Sequence, residues 1–309
     1  MRVLFVGLGS IGTRHLKNLT AIASEQGFEL EADALRSSNR ELPEETQRLL
    51  YRQYMNEVEV PHGYDVIFIT NPTNLHFDAI KVLSEKTESF FIEKPIFEDD
   101  KYSLADCNLE GKKAYVACPM RFCGTFIELK KALENKKVYS ARVLCSSYLP
   151  EWRKGVDYRE VYSAKKEMGG GVSIDLIHEW DYLADLFGEP KQVYNFQGQY
   201  SHLEITSEDL SVYIADYGNM LAEIHLDYFG RSYRRTAEFF VEEGTVTADF
   251  GSGTLYLANG TMVDCIEDVN ERYMREMRYF LSFINGEASN INPPQLALRI
   301  LTIAQGKKV

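Results

Sequence analysis

Positive charge is in short supply in this chain. Lys and Arg together number 34 against 46 Asp and Glu, a formal net charge of −12 at pH 7. Nucleic acid and anionic membranes are both bound through a basic face, so neither is expected as a partner. The imbalance still leaves room for a local basic pocket that takes a small anion. Cysteine is scarce too, with five residues, Cys107, Cys118, Cys123, Cys145 and Cys265, and no C-x-x-C. An odd count without paired spacing argues against a disulfide framework and a zinc site, so reduced thiols and no metal are expected. No apolar run approaches the roughly 18 residues of a membrane span. No signal peptide precedes the first strand, and the expected location is the cytoplasm. Internal repeats and low-complexity linkers are also missing.

What is there suits a globular protein: 309 residues, 45% apolar and 26% charged, enough for about two domains. The first third alternates strand and helix patterns. Strands are expected at 3–6, 30–35, 65–70, 89–92 and 114–117, with helices at 11–23, 74–84 and 99–109. Such alternation predicts a doubly wound parallel sheet, an α/β Rossmann domain, over 1–120. From 121 to 309 the texture changes. Helices are expected at 122–135 and 173–187 and a long strand at 138–148. Strand-like runs then follow one another from 190 to 258, and two helices close the chain at 268–285 and 294–305. Breaks at Tyr217-Gly218-Asn219 and Glu243-Gly244 suit hairpins. The second domain is thus expected to be α+β with an open, mainly antiparallel sheet.

Gly7-Leu8-Gly9-Ser10-Ile11-Gly12 is G-x-G-x-x-G between an apolar strand and a helix, the context in which the motif binds a dinucleotide. Gly7 allows the tight turn, Gly9 admits the pyrophosphate, and Gly12 lets helix and strand pack. Ser10 and Ile11 lie at the helix N-terminus, whose amides attract phosphate. The end of the second strand selects the cofactor. Arg36, Ser37 and Ser38 there suit a ribose 2′-phosphate, which favours NADP(H) and leaves NAD(H) possible. In the other reading Asp33 is the acid on the ribose hydroxyls and Arg36 is solvated. Loops after the next strands carry Asn71, Pro72 and His76, then Glu93, Lys94 and Pro95, all expected along the same crevice and, Pro95 apart, as cofactor contacts.

The set GLGSIGTRH, TNPTNLH, FIEKP and GGGVSIDLIHEWD resembles the glucose–fructose oxidoreductase/inositol dehydrogenase/MocA (Gfo/Idh/MocA) family. The resemblance implies hydride transfer on sugars, cyclitols or related compounds, with Lys94, Asp175 and His178 as the matching catalytic positions. It also implies a cis bond before Pro95 and an arginine, Arg121, near the cleft as a cofactor contact, for which a structural salt bridge is an equal alternative. The family more often spaces Asp and His by four. Here they are three apart, which on one helix still shares a face. Alcohol oxidation needs a base for the hydroxyl proton, and Lys94 or His178 could serve.

The segment 146–171 carries Tyr148, Trp152, Tyr158 and Tyr162 among Arg153 and other cations, a composition suited to sugar faces and an anionic group. It resembles a branch of the family linked to bacterial surface-sugar synthesis, including sialic-acid-like sugars, which implies an acidic or nucleotide-linked sugar. The other reading is a loop whose aromatics pack on the sheet. Arg231, Arg234 and Arg235 are read as decorating that sheet. Two further classes share the fold, a biliverdin-reductase-like enzyme and a non-catalytic dinucleotide-sensing regulator. An open sheet face tends to be covered by a partner, so a homodimer or homotetramer is expected.

Overall fold

A computed structural model describes residues 1–307. The chain forms two compact units, Met1–Cys118 with Tyr273–Leu298, and Pro119–Arg272 with the segment from Arg299 onward.

In the first unit, β1 (Arg2–Val6), α1 (Ser10–Gln26), β2 (Glu31–Leu35), α2 (Glu44–Gln47), β3 (Arg52–Tyr54), β4 (Val66–Ile69), α3 (His76–Leu83), β5 (Ser89–Ile92) and β6 (Lys113–Val116) follow in order. The six strands form one sheet in the order β3-β2-β1-β4-β5-β6, every pair parallel. The order reverses at β1/β4, the switch point where an open parallel sheet leaves its ligand crevice. β4 and β5 are buried along their whole length, which is why they read as unbroken apolar runs. In α1, Leu16, Leu19, Ile22 and Ala23 are buried at helical spacing, and Gly27 in the left-handed region ends the helix with its amide on Ala23 O.

One strand of this unit was not expected from the sequence, and one expected helix shrinks to a turn. β3 is short and mostly exposed, with no apolar alternation to mark it. The helix expected at 99–109 is only a turn at Leu104–Cys107, capped by Ser103 and stopped by Asn108 at φ 51°. The short polar side chains there favour local caps over a continuous helix.

The second unit holds α4 (Gly124–Leu133), β7 (Ser140–Tyr148), α5 (Val172–Asp175), α6 (His178–Phe187), β8 (Gln192–Gly198), β9 (Leu210–Asp216), β10 (Leu221–Asp227), β11 (Phe229–Val241), β12 (Gly244–Asp249), β13 (Thr254–Tyr256) and β14 (Met262–Asp264). Its eight-stranded sheet runs β14-β13-β12-β11-β7-β10-β9-β8. All pairs are antiparallel except β7 with β10. The two turns read from sequence do join antiparallel neighbours, β9 to β10 and β11 to β12. Trp180 on α6 meets Tyr213 on β9 edge-on at 5.1 Å in the core of this unit.

The boundary read from sequence needs correction. Helix α7 (Val269–Ile284) buries Met277, Phe280 and Leu281, and Tyr273–Leu298 belongs to the first unit. Phe280 packs edge-on against Phe68 and Phe91 at 5.9 and 5.1 Å. Fully burying each such ring stabilises by roughly 1.5–3 kcal/mol. Beyond α7, Asn292 exchanges hydrogen bonds with the Val116 backbone on the edge strand β6, covering polar groups that would otherwise be open. Helix α8 (Pro294–Ala304) spans the division at Leu298/Arg299. Among the described residues no helix is long and apolar enough to cross a membrane.

Candidate functional site

The three glycines of the first loop answer to different neighbours. Gly7 has φ +87°, and a Cβ there would stand 2.7 Å from Asn71 Cα. At Gly12 a Cβ would meet Gly7 O at 2.3 Å and Thr70 Oγ1 at 2.7 Å. Both glycines are demanded by the fold. Gly9 is not, since a Cβ there would meet nothing within 4 Å and its φ of −74° is open to any residue. The space above Gly9 is therefore available to a ligand. α1 begins there without a side-chain cap and without an acid in its first turn, so its amides and partial positive charge suit a pyrophosphate. Gly9→Ala is expected to change Tm by less than about 5 °C, an N-cap effect near 1 kcal/mol. The same change should raise the dinucleotide dissociation constant at least about tenfold, the effect of crowding a charge-assisted contact. Nucleotide fluorescence titration beside a melting curve checks both.

Asp33 cannot be the ribose acid. It is fully buried in mid-strand, where it accepts from Tyr64 Oη at 2.6 Å and from Arg2 at 3.2 Å. Burial, then the contact with Asp33, raises the Tyr64 pKa, so the phenol stays a donor. Arg36 follows directly on β2. Its guanidinium donates to Gln53 Oε1 at 2.8 Å and to Arg40 O, beside the exposed Ser37 and Ser38.

The bond before Pro95 is cis. Glu93 is buried. One carboxylate oxygen meets His15 Nε2 at 2.6 Å, and the other accepts the Lys94 amide at 3.2 Å. Burial pushes the Glu93 pKa up, but His15 and then the Lys94 charge outweigh this and hold it below the usual range. Glu93 thus frames the Lys94 backbone and is not offered to a cofactor. His76 is also buried, with Nδ1 3.2 Å from Ile96 O and Nε2 3.0 Å from Asn71 O. Burial lowers its pKa. The neutral ring donates through one nitrogen at a time, to Ile96 O after Pro95 or to Asn71 O after β4, and both nitrogens face backbone carbonyls, contrary to the cofactor contact expected of it. Asn71 donates to Leu75 O at 3.3 Å and Pro72 opens the turn that leads into α3. His15 was missed, although it lies in the quoted GLGSIGTRH. Helix spacing alone cannot reveal a partner 78 positions away.

In the second unit a pocket of about 440 Å³ brings Asp175 and His178 together with Tyr148, Trp152, Arg231 and Tyr233. This volume lies in the range of small-molecule sites. Asp175 and His178 do not share a helix as expected. α5 ends at Asp175 and α6 starts at His178, with Leu176 and Ile177 turning the chain between them. Asp175 accepts from the hydroxyls of Tyr162 and Tyr228. Burial, followed by the Asp175 charge, holds both phenols well above their usual pKa, so both remain donors. The preceding glycines make room for this arrangement. A Cβ at Gly170 would meet Tyr162 O at 2.0 Å, and one at Gly171, where φ is +145°, would meet the Glu208 carboxylate at 2.2 Å.

Of the aromatic segment, Tyr148 and Trp152 line the pocket, with the Trp152 indole donating to Ser147 Oγ at 3.1 Å. Tyr162 serves as a clamp on Asp175. Arg153 and Tyr158 lie outside this pocket, and the Tyr158 hydroxyl accepts from the Glu204 amide at 3.2 Å. Arg121 is a second correction. It is buried and forks onto Asp181 at 2.7 and 3.0 Å and onto Asp185 at 3.2 Å. This is a structural bridge within the unit, so the cofactor contact expected of Arg121 is withdrawn. Arg235, read as sheet decoration, forks onto the fully buried Glu179 at 2.7 and 3.0 Å.

Residues 1–114 match the family described as "Oxidoreductase family, NAD-binding Rossmann fold" (GFO_IDH_MocA). Myo-inositol 2-dehydrogenase of Thermotoga maritima is 28% identical over 200 residues, 61% of this chain and 55% of that protein. The aligned stretch thus spans about half the length of this curated relative. Among solved structures, levoglucosan dehydrogenase in complex with NADH and levoglucosan superposes with a TM-score of 0.82 at 15% identity, covering 99% of this chain and 95% of that one. UDP-N-acetylglucosamine 3-dehydrogenase of Acidithiobacillus ferrooxidans gives 0.78 at 20% identity, over 100% and 96%. At these identities the two structures establish the shared two-domain fold.

Proposed function

We propose that the chain, whose residues 1–114 match the Gfo/Idh/MocA oxidoreductase family with its NAD-binding Rossmann fold, transfers hydride between a nicotinamide dinucleotide and a hydroxyl or carbonyl carbon of a sugar, acidic sugar or nucleotide sugar. The observation that carries this reading is the pocket of the second unit, which joins a carboxylate, an imidazole and an aromatic wall in about 440 Å³. Bound nicotinamide supplies the hydride acceptor or donor. The protein's part is to hold the sugar and manage one proton, which leaves the hydroxyl as hydride leaves its carbon. We assign that proton to Lys94 or His178. Asp175, fixed by two phenols, is a rigid acceptor for a substrate hydroxyl. Both of its oxygens already accept a phenolic hydrogen bond, so it is read as a positioning acceptor and not as the base.

NADP(H) is the preferred cofactor in this reading, with NAD(H) as the alternative. Asp33 is closed off in the strand, and Arg36 stands at the strand end beside two exposed hydroxyls. A homodimer or homotetramer that covers the sheet face carrying Tyr194, Phe196 and Ile214, each at least 39% exposed, belongs to the same proposal. The test is turnover of neutral, acidic and nucleotide-linked sugars, followed at the nicotinamide absorbance with each cofactor. Turnover with a KM for NADPH at least about tenfold below that for NADH is expected, as one charge-assisted contact supplies that much. Binding of the dinucleotide with no turnover across the panel would instead favour a regulator.

A further inference from the structure

Strand β11 does not run smoothly beside β7. Phe229 pairs with Tyr148 and Arg234 with Ser146, so residues 230–233 loop out opposite Ser147 alone. The excursion is built in. Asp227 Oδ1 accepts the amides of Phe229 at 3.1 Å and Gly230 at 2.8 Å. A Cβ at Gly230 would lie 1.8 Å from Ser146 Oγ, so any other residue would have to push that hydroxyl aside. Bulges of this kind re-aim side chains beside binding sites. This one places Arg231 and Tyr233 on the pocket wall.

Of the two guanidiniums lining the pocket, Arg235 is committed to Glu179. Arg231 lies over the Tyr148 ring at 3.7 Å and forms no ion pair among the described residues. Stacking on an aromatic face fixes the plane of the guanidinium and leaves its in-plane N–H groups for a planar or tetrahedral anion. The two carboxylates on the pocket wall are Glu151 and Asp175, and Asp175 already accepts two phenolic hydrogen bonds.

The geometry points to Arg231 as the anion anchor of this pocket, selecting a sugar that carries a carboxylate or phosphate. The inference rests on the proposed sugar pocket and narrows its substrate class. Binding can be read without turnover, because Trp152 lines the pocket at 38% exposure while the other tryptophan, Trp180, is buried. Wild type, Arg231→Gln and Arg231→Lys are titrated with glucuronate, glucose 6-phosphate and glucose by tryptophan fluorescence, each protein saturated with dinucleotide. The expected result is that Arg231→Gln weakens one or both anionic probes by about 10- to 100-fold, the range of a charge-assisted pair. Glucose should be unaffected, and Arg231→Lys should recover part of the loss. Which anionic probe loses affinity separates carboxylate from phosphate. Equal weakening of all three probes, no weakening of either anion, or no quenching of wild type by any anion overturns the anchor. The wider reading falls separately, through absence of turnover on every sugar.

Discussion

Replacing Lys94 by Ala is expected to lower kcat about 10²- to 10⁴-fold, the contribution of a positioned acid or base, with the melting temperature nearly unchanged. Lys94 follows a strand buried along its length, and its amide is fixed by the Glu93 carboxylate, itself gripped by His15. The side chain is half-buried and stands outside the apolar core, so its loss should be felt far more in turnover than in folding. Lys94→Arg makes the test sharper. Arginine keeps the charge but cannot release a proton at any accessible pH. If Lys94 moves the proton, Arg should be nearly as damaging as Ala. If it supplies only a positive charge, Arg should retain most of the rate. Full turnover in a folded Lys94→Ala protein would remove Lys94 from the reaction and leave His178 to carry the proton.

The second large effect is on stability. Arg121→Ala should cost about 3–5 kcal/mol, because deleting one partner strands a buried opposite charge. In a protein of this size that corresponds to a fall in Tm of roughly 10 °C. Asp181 is the residue left behind. Burial already pushes its pKa up against the pull of Arg121, and without the fork its charged form has no comparable partner. The dinucleotide dissociation constant of the folded fraction should stay within about twofold. A paired replacement, Arg121→Met with Asp181→Leu, should recover much of the lost stability, since apolar residues of similar volume can replace a buried pair. A large loss of cofactor affinity at an unchanged Tm would return Arg121 to the cofactor site.

Much of the architecture was legible in local pattern. Strands 65–70 and 89–92 are apolar runs that the sheet buries on both faces, and the strand runs after 190 correspond to β8 through β12. The helix at 11–23 was legible because its core face recurs at helical spacing and its glycine loop stands directly before it. Such signals depend on neighbours within a few residues of one another, which is where periodicity and capping act.

The functional details depend on contacts between distant residues, and these carry no local signature. Asp33 and Arg36 differ by three positions, but only the placement of Tyr64 and Arg2 shows that the acid is consumed inside the sheet. The clamp on Asp175 comes from Tyr228, 53 residues away, and the fork on Arg121 from Asp181, 60 away. Gly230 was the one visible hint of the bulge, as a glycine inside a strand run. Whether Arg231 decorated a sheet or faced a pocket was settled by how β11 registers on β7. The alternation of residue types wrote the order of strands and helices. The packing of side chains far apart in the chain chose which charged groups were left for a ligand, because a charge with a buried partner is no longer available to bind one.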